Sequence, residues 1–346
     1  MLDGFVKAAA VTPKIRVADC VYNTKQICRE MELAEANGAK IIVFPELCLT
    51  GYTCSDLFWQ ELLLSEAKKG LHQILFLSKG KDALIFVGLP WEKDGKLYNA
   101  AAAISNGRLL GVVPKRFLPN YSEFYEARHF TPGNEKPEMA EFEGQQVPFG
   151  SKLLFNCPEI NGLTVGAEIC EDLWVPAPPS IGHALAGATV IVNLSASDEV
   201  TGKDLYRRQL VSGQSARLVC GYIYADAGEG ESSTDLVFGA HNIIAENGVI
   251  LGETPRFDNQ AVYSELDIRR LRGERRRMTT YSAPSDPDYQ IVNFHLNPVT
   301  TKLTRTFDPA PFVPSDKGDR ERRCEEILSI QALGLQKRLE HTGCTS

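Results

Sequence analysis

From Phe5 to Leu251 the chain alternates short β-branched or aromatic runs with amphipathic stretches, a pattern that restricts it to a sheet covered by helices. Phe5–Val11 reads as a strand, Thr24–Asn37 as a helix stopped by Gly38, and Ile41–Pro45 as a buried strand. A helical stretch from Asp56 to about Leu77 follows, then strands at Ala83–Leu89, Tyr98–Ile104 and Leu109–Val113. Asn106-Gly107 between the last two is a strong hairpin signal, so the sheet cannot be purely parallel. Further strands are expected at Leu163–Ile169, Thr189–Leu194 and Gly221–Ala225, with helices at about Ile181–Ala186 and Leu205–Leu218. Ala240–Ile244 and Val249–Leu251 flank a second Asn-Gly turn at Asn247-Gly248. Asn120–Gly150 lacks any clear period and reads as one long loop, a length that in compact domains usually carries function. From about Arg272 to Asp319 the composition shifts to Pro, Asp, Thr and Arg, as in a linker, before an amphipathic stretch at Arg320–Glu340.

Composition removes several function classes. A formal net charge of -7 tells against a phosphate-backbone binder, and the one basic cluster, Arg269 to Arg277, is interrupted by Glu274 and fits a solvated helix face. No nucleic-acid partner is expected. No segment approaches the ~20 consecutive apolar residues that span a bilayer, and the start has no secretory signal pattern, so no membrane association is expected. Nine cysteines, with no paired spacing and no histidine spacing suited to zinc, signal neither a disulfide framework nor a metal site. A reducing, cytoplasmic location is the expectation.

Three strand ends carry reactive side chains. Apolar Ile41-Ile42-Val43-Phe44 is closed by Pro45 and followed by Glu46; Leu110-Gly111-Val112-Val113 is closed by Pro114 and followed by Lys115; Thr164 to Ile169 runs into Cys170 and a polar turn. A lone cysteine at a strand end is ordinarily a small buried hydrophobe, the reading given to Cys48, Cys157 and Cys220, and a lone charge there ordinarily faces water. Together the three supply a nucleophile, a base and an oxyanion-stabilising cation, the parts needed to attack an amide carbon.

The set Phe44-Pro45-Glu46, Pro114-Lys115 and Glu168-Ile169-Cys170-Glu171-Asp172 resembles the nitrilase superfamily of carbon-nitrogen hydrolases. More narrowly, Leu118 to Glu126 with Arg128-His129-Phe130, and Asn193-Leu194-Ser195-Ala196-Ser197, resemble the glutaminase domain of the glutamine-dependent NAD synthetase family. The resemblance implies an α/β fold built as a four-layer α-β-β-α sandwich, with Glu46, Lys115 and Cys170 catalytic at one end of the sheets. It places Glu123 as a supporting glutamate that orients Lys115, and Tyr121, Phe124, Glu171 and Ser197 around the glutamine, with Lys203 facing its α-carboxylate.

The same resemblance divides the chain into a glutaminase domain at 1–272, a linker and extended tail at 273–319, and at 320–346 the start of a synthetase domain. It implies glutamine as substrate, no cofactor for the hydrolysis, and a homo-oligomer. ATP and Mg would belong to the synthetase half, whose Ser-Gly-Gly-x-Asp-Ser phosphate loop finds no match here; Ser212-Gly213-Gln214-Ser215 departs from it. That half would act in cis or in trans. Two other readings stay open from the residues: a nitrilase-type amidase for a different small amide, and a catalytically silent assembly module.

Overall fold

A computed structural model describes residues 1–233, 235–281 and 286–343. In chain order the elements are β1 (Phe5–Val11), α1 (Cys20–Ala36), β2 (Ile41–Val43), α2 (Glu61–Leu77), β3 (Leu84–Lys93), β4 (Lys96–Ser105), β5 (Arg108–Pro114), β6 (Glu138–Phe142) and β7 (Gln145–Phe149). There follow β8 (Leu153–Cys157), β9 (Leu163–Ile169), α3 (Pro179–Leu185), β10 (Val190–Ser195), α4 (Lys203–Leu218), β11 (Gly221–Asp226), β12 (Ile243–Glu246), β13 (Val249–Glu253), β14 (Ala261–Asp267), α5 (Ile268–Arg277), β15 (Gln290–Asn293) and α6 (Lys317–Thr342). The strands form two sheets, ordered β14-β1-β2-β3-β4-β5-β7-β6 and β13-β12-β11-β10-β9-β8-β15.

Two-residue periodicity in the strands produces the layers. In β2, Ile42 points to a core shared with Ile27 and Met31 of α1 and Leu71 and Ile74 of α2, whereas Ile41 and Val43 point to a second core. That second core also takes Val165 and Ala167 of β9 and Val190 and Val192 of β10, so it lies between the sheets. Ile191 of β10 and Tyr222 and Tyr224 of β11 turn outward onto Ala184 of α3 and Val211 and Leu218 of α4. Helix, sheet, sheet and helix therefore stack in that order, the expected four-layer α-β-β-α sandwich. Strands buried on both faces explain the nearly continuous apolar runs in the sequence.

Several expected elements are corrected. The first helix starts at Cys20, capped by Asp19, whose side chain accepts from Tyr22 N, and not at Thr24. The stretch expected to be helical from Asp56 begins as an irregular 3-10 segment, Tyr52–Trp59, before α2. The supposed loop 120–150 holds a 3-10 turn, Glu126–Arg128, and the β6–β7 hairpin that edges the first sheet. Between 273 and 319, expected as linker, β15 pairs in parallel with β8, and the first compact unit extends over Met1–Thr304. The second unit starts at Arg305 and contains α6, capped by the Asp316 side chain.

His183 on α3 docks against the second sheet: its Nε2 meets Ala167 O at 3.1 Å and its Nδ1 meets Tyr289 Oη at 2.9 Å. Burial pushes its pKa down to about 4. As pH falls below the unfolded value near 6.5, the unfolded chain takes up a proton that the folded chain refuses, so this stabilisation is lost between roughly pH 6.5 and 4. The stability advantage of the parent over His183→Gln is expected to shrink by up to about 3 kcal/mol across that window, measured by urea unfolding. Parallel pH curves for the two proteins would contradict it.

Candidate active site

The topology brings Glu46 and Lys115 to one end of the first sheet. β2 runs parallel to β3, β3 antiparallel to β4, and β4 antiparallel to β5, so β2 and β5 point the same way and both residues follow C-terminal strand ends. Cys170 follows the C-terminal end of β9 in the facing sheet. Two contacts tie the sheets together here: Glu46 N donates to Ser195 O (3.3 Å), and Ala196 N donates to Glu46 Oε2 (2.8 Å). The turn carrying Glu46 crosses β3 at Gly88, where an added Cβ would lie 2.3 Å from Leu47 N and 2.4 Å from Pro45 O. Only glycine permits that approach.

Lys115 is wholly buried and its ammonium is held by two carboxylates. Nζ donates to Glu46 Oε1 and to Glu126 Oε1, each at 2.6 Å. Asn99 Nδ2 also donates to Glu46 Oε1 (2.5 Å), and Tyr52 Oη donates to Glu126 Oε1 (2.8 Å). Burial opposes the charge on Lys115, yet Glu126 and Glu46 outweigh it and raise the lysine well above its ordinary value. Burial pushes Glu126 up to about 7 against the pull of Lys115, with Glu46 adding to the rise.

The carboxylate that supports Lys115 beside Glu46 is thus Glu126, which corrects the expectation for Glu123. Glu123 is half-buried and lines a cleft of about 190 Å³ together with Tyr52, Phe58 and Phe130. Glu126 reaches the same cleft from the 3-10 turn that its own residue opens. Both glutamates lie in the aperiodic stretch after Lys115, and only the fold distinguishes them.

Cys170 sits on a turn with φ of +44°, a left-handed conformation costly for a side chain with a Cβ. Its N–H donates to Asn193 Oδ1 (3.1 Å), which also accepts from Ser195 Oγ (2.9 Å). Burial raises the thiol well above its ordinary pKa, Glu46 adds to the rise, and Lys115 opposes it. Cys48 and Cys220 are also pushed up, to about 12, by burial, with Arg275 opposing the rise at Cys220.

Among the other expected residues, Tyr121, Phe124, Glu171 and Lys203 lie near one another. Tyr121 Oη donates to Glu171 Oε1 (2.8 Å), and Tyr121 and Phe124 pack edge to face at 6.1 Å. Lys203 Nζ lies 5.8 Å from the Phe124 ring and 5.2 Å from the Trp174 ring, and pairs with Asp198. Ser197 is buried; its N–H donates to Asp226 Oδ1 (2.9 Å) and its Oγ accepts from Arg207 Nη2 (3.3 Å). The sequence alone gives Asn99, Tyr52, Asn193 and Glu126 no separate role. Among the described residues no cluster of histidine, cysteine or carboxylate side chains could hold a metal, and no helix is long and apolar enough to cross a membrane.

The carbon-nitrogen hydrolase profile matches residues 7–276, an interval that holds all three strand ends. The chain belongs to the carbon-nitrogen hydrolase family. This hydrolase is 38% identical over 348 residues to the glutamine-dependent NAD(+) synthetase of Mycobacterium leprae, covering 97% of the chain and 51% of that protein. It is 32% identical to the glutamine-dependent NAD(+) synthetase of Aquifex aeolicus, with 94% and 52% covered. The chain therefore spans about half the length of these curated relatives. Among solved structures, a glutamine-dependent NAD(+) synthetase from Cytophaga hutchinsonii superposes with a TM-score of 0.68 at 29% identity, over 75% of this chain and 43% of the other. An amidase from Nesterenkonia sp., at 19% identity and a TM-score of 0.58 over 79% of this chain and 95% of that one, shares the fold.

Proposed function

We propose that this carbon-nitrogen hydrolase is a glutamine amidohydrolase that releases ammonia from the side-chain amide through a thioester on Cys170. The observation that carries the chemistry is the buried Lys115 ammonium, clamped between two carboxylates and acting on a thiol held in a strained turn. Glu46 takes the thiol proton as sulfur attacks the amide carbon, and Lys115 faces the negative oxygen that develops, with the backbone N–H of Glu171 as second donor. The C–N bond breaks as Glu46 returns the proton to nitrogen; ammonia leaves and a thioester remains. Glu46 then draws a proton from water, which attacks the thioester and frees glutamate and the thiol. Glu126 fixes the lysine and does not touch substrate.

Glutamine as substrate rests on the similarity to glutamine-dependent NAD(+) synthetases and on the mouth of the site. Tyr121, Phe124, Glu171, Ser197 and Lys203 form its lining, with Lys203 exchanging Asp198 for the α-carboxylate. The hydrolysis needs no cofactor. The ammonia serves amidation of nicotinic acid adenine dinucleotide by an ATP- and Mg-dependent synthetase domain, in cis or in trans, within a cytoplasmic homo-oligomer, and 320–346 marks where that domain begins. The test is ammonia release by the purified chain from glutamine, asparagine and a simple aliphatic amide, with a glutamine-mimicking electrophile as a trap. Glutamine-selective release and an adduct on Cys170 are expected. Release from the other amides alone would replace the substrate assignment, and silence with an unlabelled Cys170 would overturn the enzyme reading.

A further inference from the structure

We infer that Asp172 is a positioning residue that locks the lysine and the nucleophile into one frame. Its side chain is almost fully buried, and both oxygens are used. Oδ1 accepts from Arg116 N (3.1 Å) and Phe117 N (2.9 Å), the two residues that follow Lys115. Oδ2 accepts from Ile169 N (2.9 Å), the residue before Cys170. One carboxylate thus bridges the end of β5 in one sheet to the end of β9 in the other, and each anchored backbone leads directly into a reactive side chain.

The bridge also bears on the strain at Cys170. A left-handed residue other than glycine persists only where its surroundings over-determine it. Here Asp172 fixes the residue in front of the turn, while Asn193 Oδ1 holds the N–H of Cys170 itself. Burial pushes the pKa of Asp172 up against the hydrogen bonds from Ile169 and Phe117, and its three backbone donors are satisfied together only by the ionised carboxylate, which accepts at both oxygens. An asparagine offers one acceptor oxygen in place of two, so it must turn its NH2 either on the Arg116–Phe117 pair or on Ile169, leaving a donor facing a donor. Among the described residues Asp172 accepts only from these three backbone donors and from none of the proposed substrate-lining side chains, so the substitution leaves that lining in place.

This proposal rests on the hydrolase mechanism above, and the test separates the two. In Asp172→Asn, turnover on glutamine, normalised to Cys170 titrated with the electrophile, is expected to fall about 100-fold with KM within about threefold, the loss that a misplacement near 1 Å produces. Alkylation of Cys170 by iodoacetamide, followed by mass spectrometry of its own peptide, is expected to slow at least tenfold. A purely structural role would lower the titrated fraction and leave normalised turnover unchanged, which would overturn the inference. If the parent releases no ammonia from glutamine, the substrate assignment fails while the alkylation rates still decide on Asp172; rates within twofold would sink it. If the variant does not fold, amide exchange in the parent decides instead: Arg116, Phe117 and Ile169 are expected to be protected as strongly as the sheet core, and rapid exchange at Arg116 and Phe117 would refute the bridge.

Discussion

Lys115→Met is expected to abolish measurable ammonia release and to lower stability by about 3–5 kcal/mol, the loss seen when one partner of a buried ion pair is removed. Methionine fills most of the volume, so the effect isolates the charge. The ammonium holds two carboxylates whose oxygens lie 2.6 Å from it and offsets one of their two charges, and none of the three side chains has more than 4% exposure. Without the cation, Glu46 and Glu126 must share a water-poor site as like charges or take up protons. Either result removes the base in its working form as well as the oxyanion partner. Adding Glu126→Gln to Lys115→Met removes one of the two carboxyl charges, so the double variant is expected to regain part of the stability and none of the activity. Urea unfolding of the parent, Lys115→Met, Glu126→Gln and the double variant measures the coupling, and strictly additive stabilities would contradict a shared ion cluster. Lys115→Met retaining turnover within tenfold of the parent would remove Lys115 from the mechanism.

The legible part of this site was the part that breaks a local pattern. Pro45 and Pro114 each close an apolar strand and leave a charge directly behind it, and Cys170 closes another. The four layers were implied by family resemblance, and they follow physically from strands apolar on both faces. Glu126 was hidden because its selection over Glu123 depends on contacts from far away in sequence. Tyr52 caps its carboxylate across 74 positions, and Phe130, just after its turn, packs on Phe58 at 4.9 Å. The β6–β7 hairpin reads as loop in the sequence because Glu143-Gly144 is a weaker turn signal than Asn-Gly and Met139 and Glu141 face outward. Strand β15 has four residues and finds its partner β8 more than 130 positions earlier, a pairing no local periodicity announces. The roles of Asn99, Asn193 and Asp172 are illegible for a different reason, although the last two lie within the motifs that carry the resemblance: each role is set by the carboxylate or backbone the side chain meets, within its own sheet for the two asparagines and across the sheets for Asp172.

Replacing the nucleophile itself is expected to separate catalysis from stability. Cys170→Ala and Cys170→Gly are both expected to lose at least about 10³-fold in turnover on glutamine, since no other group can form the thioester. Their stabilities are expected to differ. At φ of +44° alanine keeps the clash between Cβ and the backbone that cysteine suffers, whereas glycine has none. The left-handed conformation costs a residue with a Cβ roughly 1–2 kcal/mol, and the greater freedom of unfolded glycine offsets about 0.5–1 kcal/mol of that relief. Glycine is therefore expected to be the more stable of the two inactive proteins by up to about 1 kcal/mol, read from their urea midpoints at equal slope. If alanine proved the more stable, the turn would not be strained in solution, and the hydrogen bonds that Asp172 and Asn193 make around it would have no strain to hold in place.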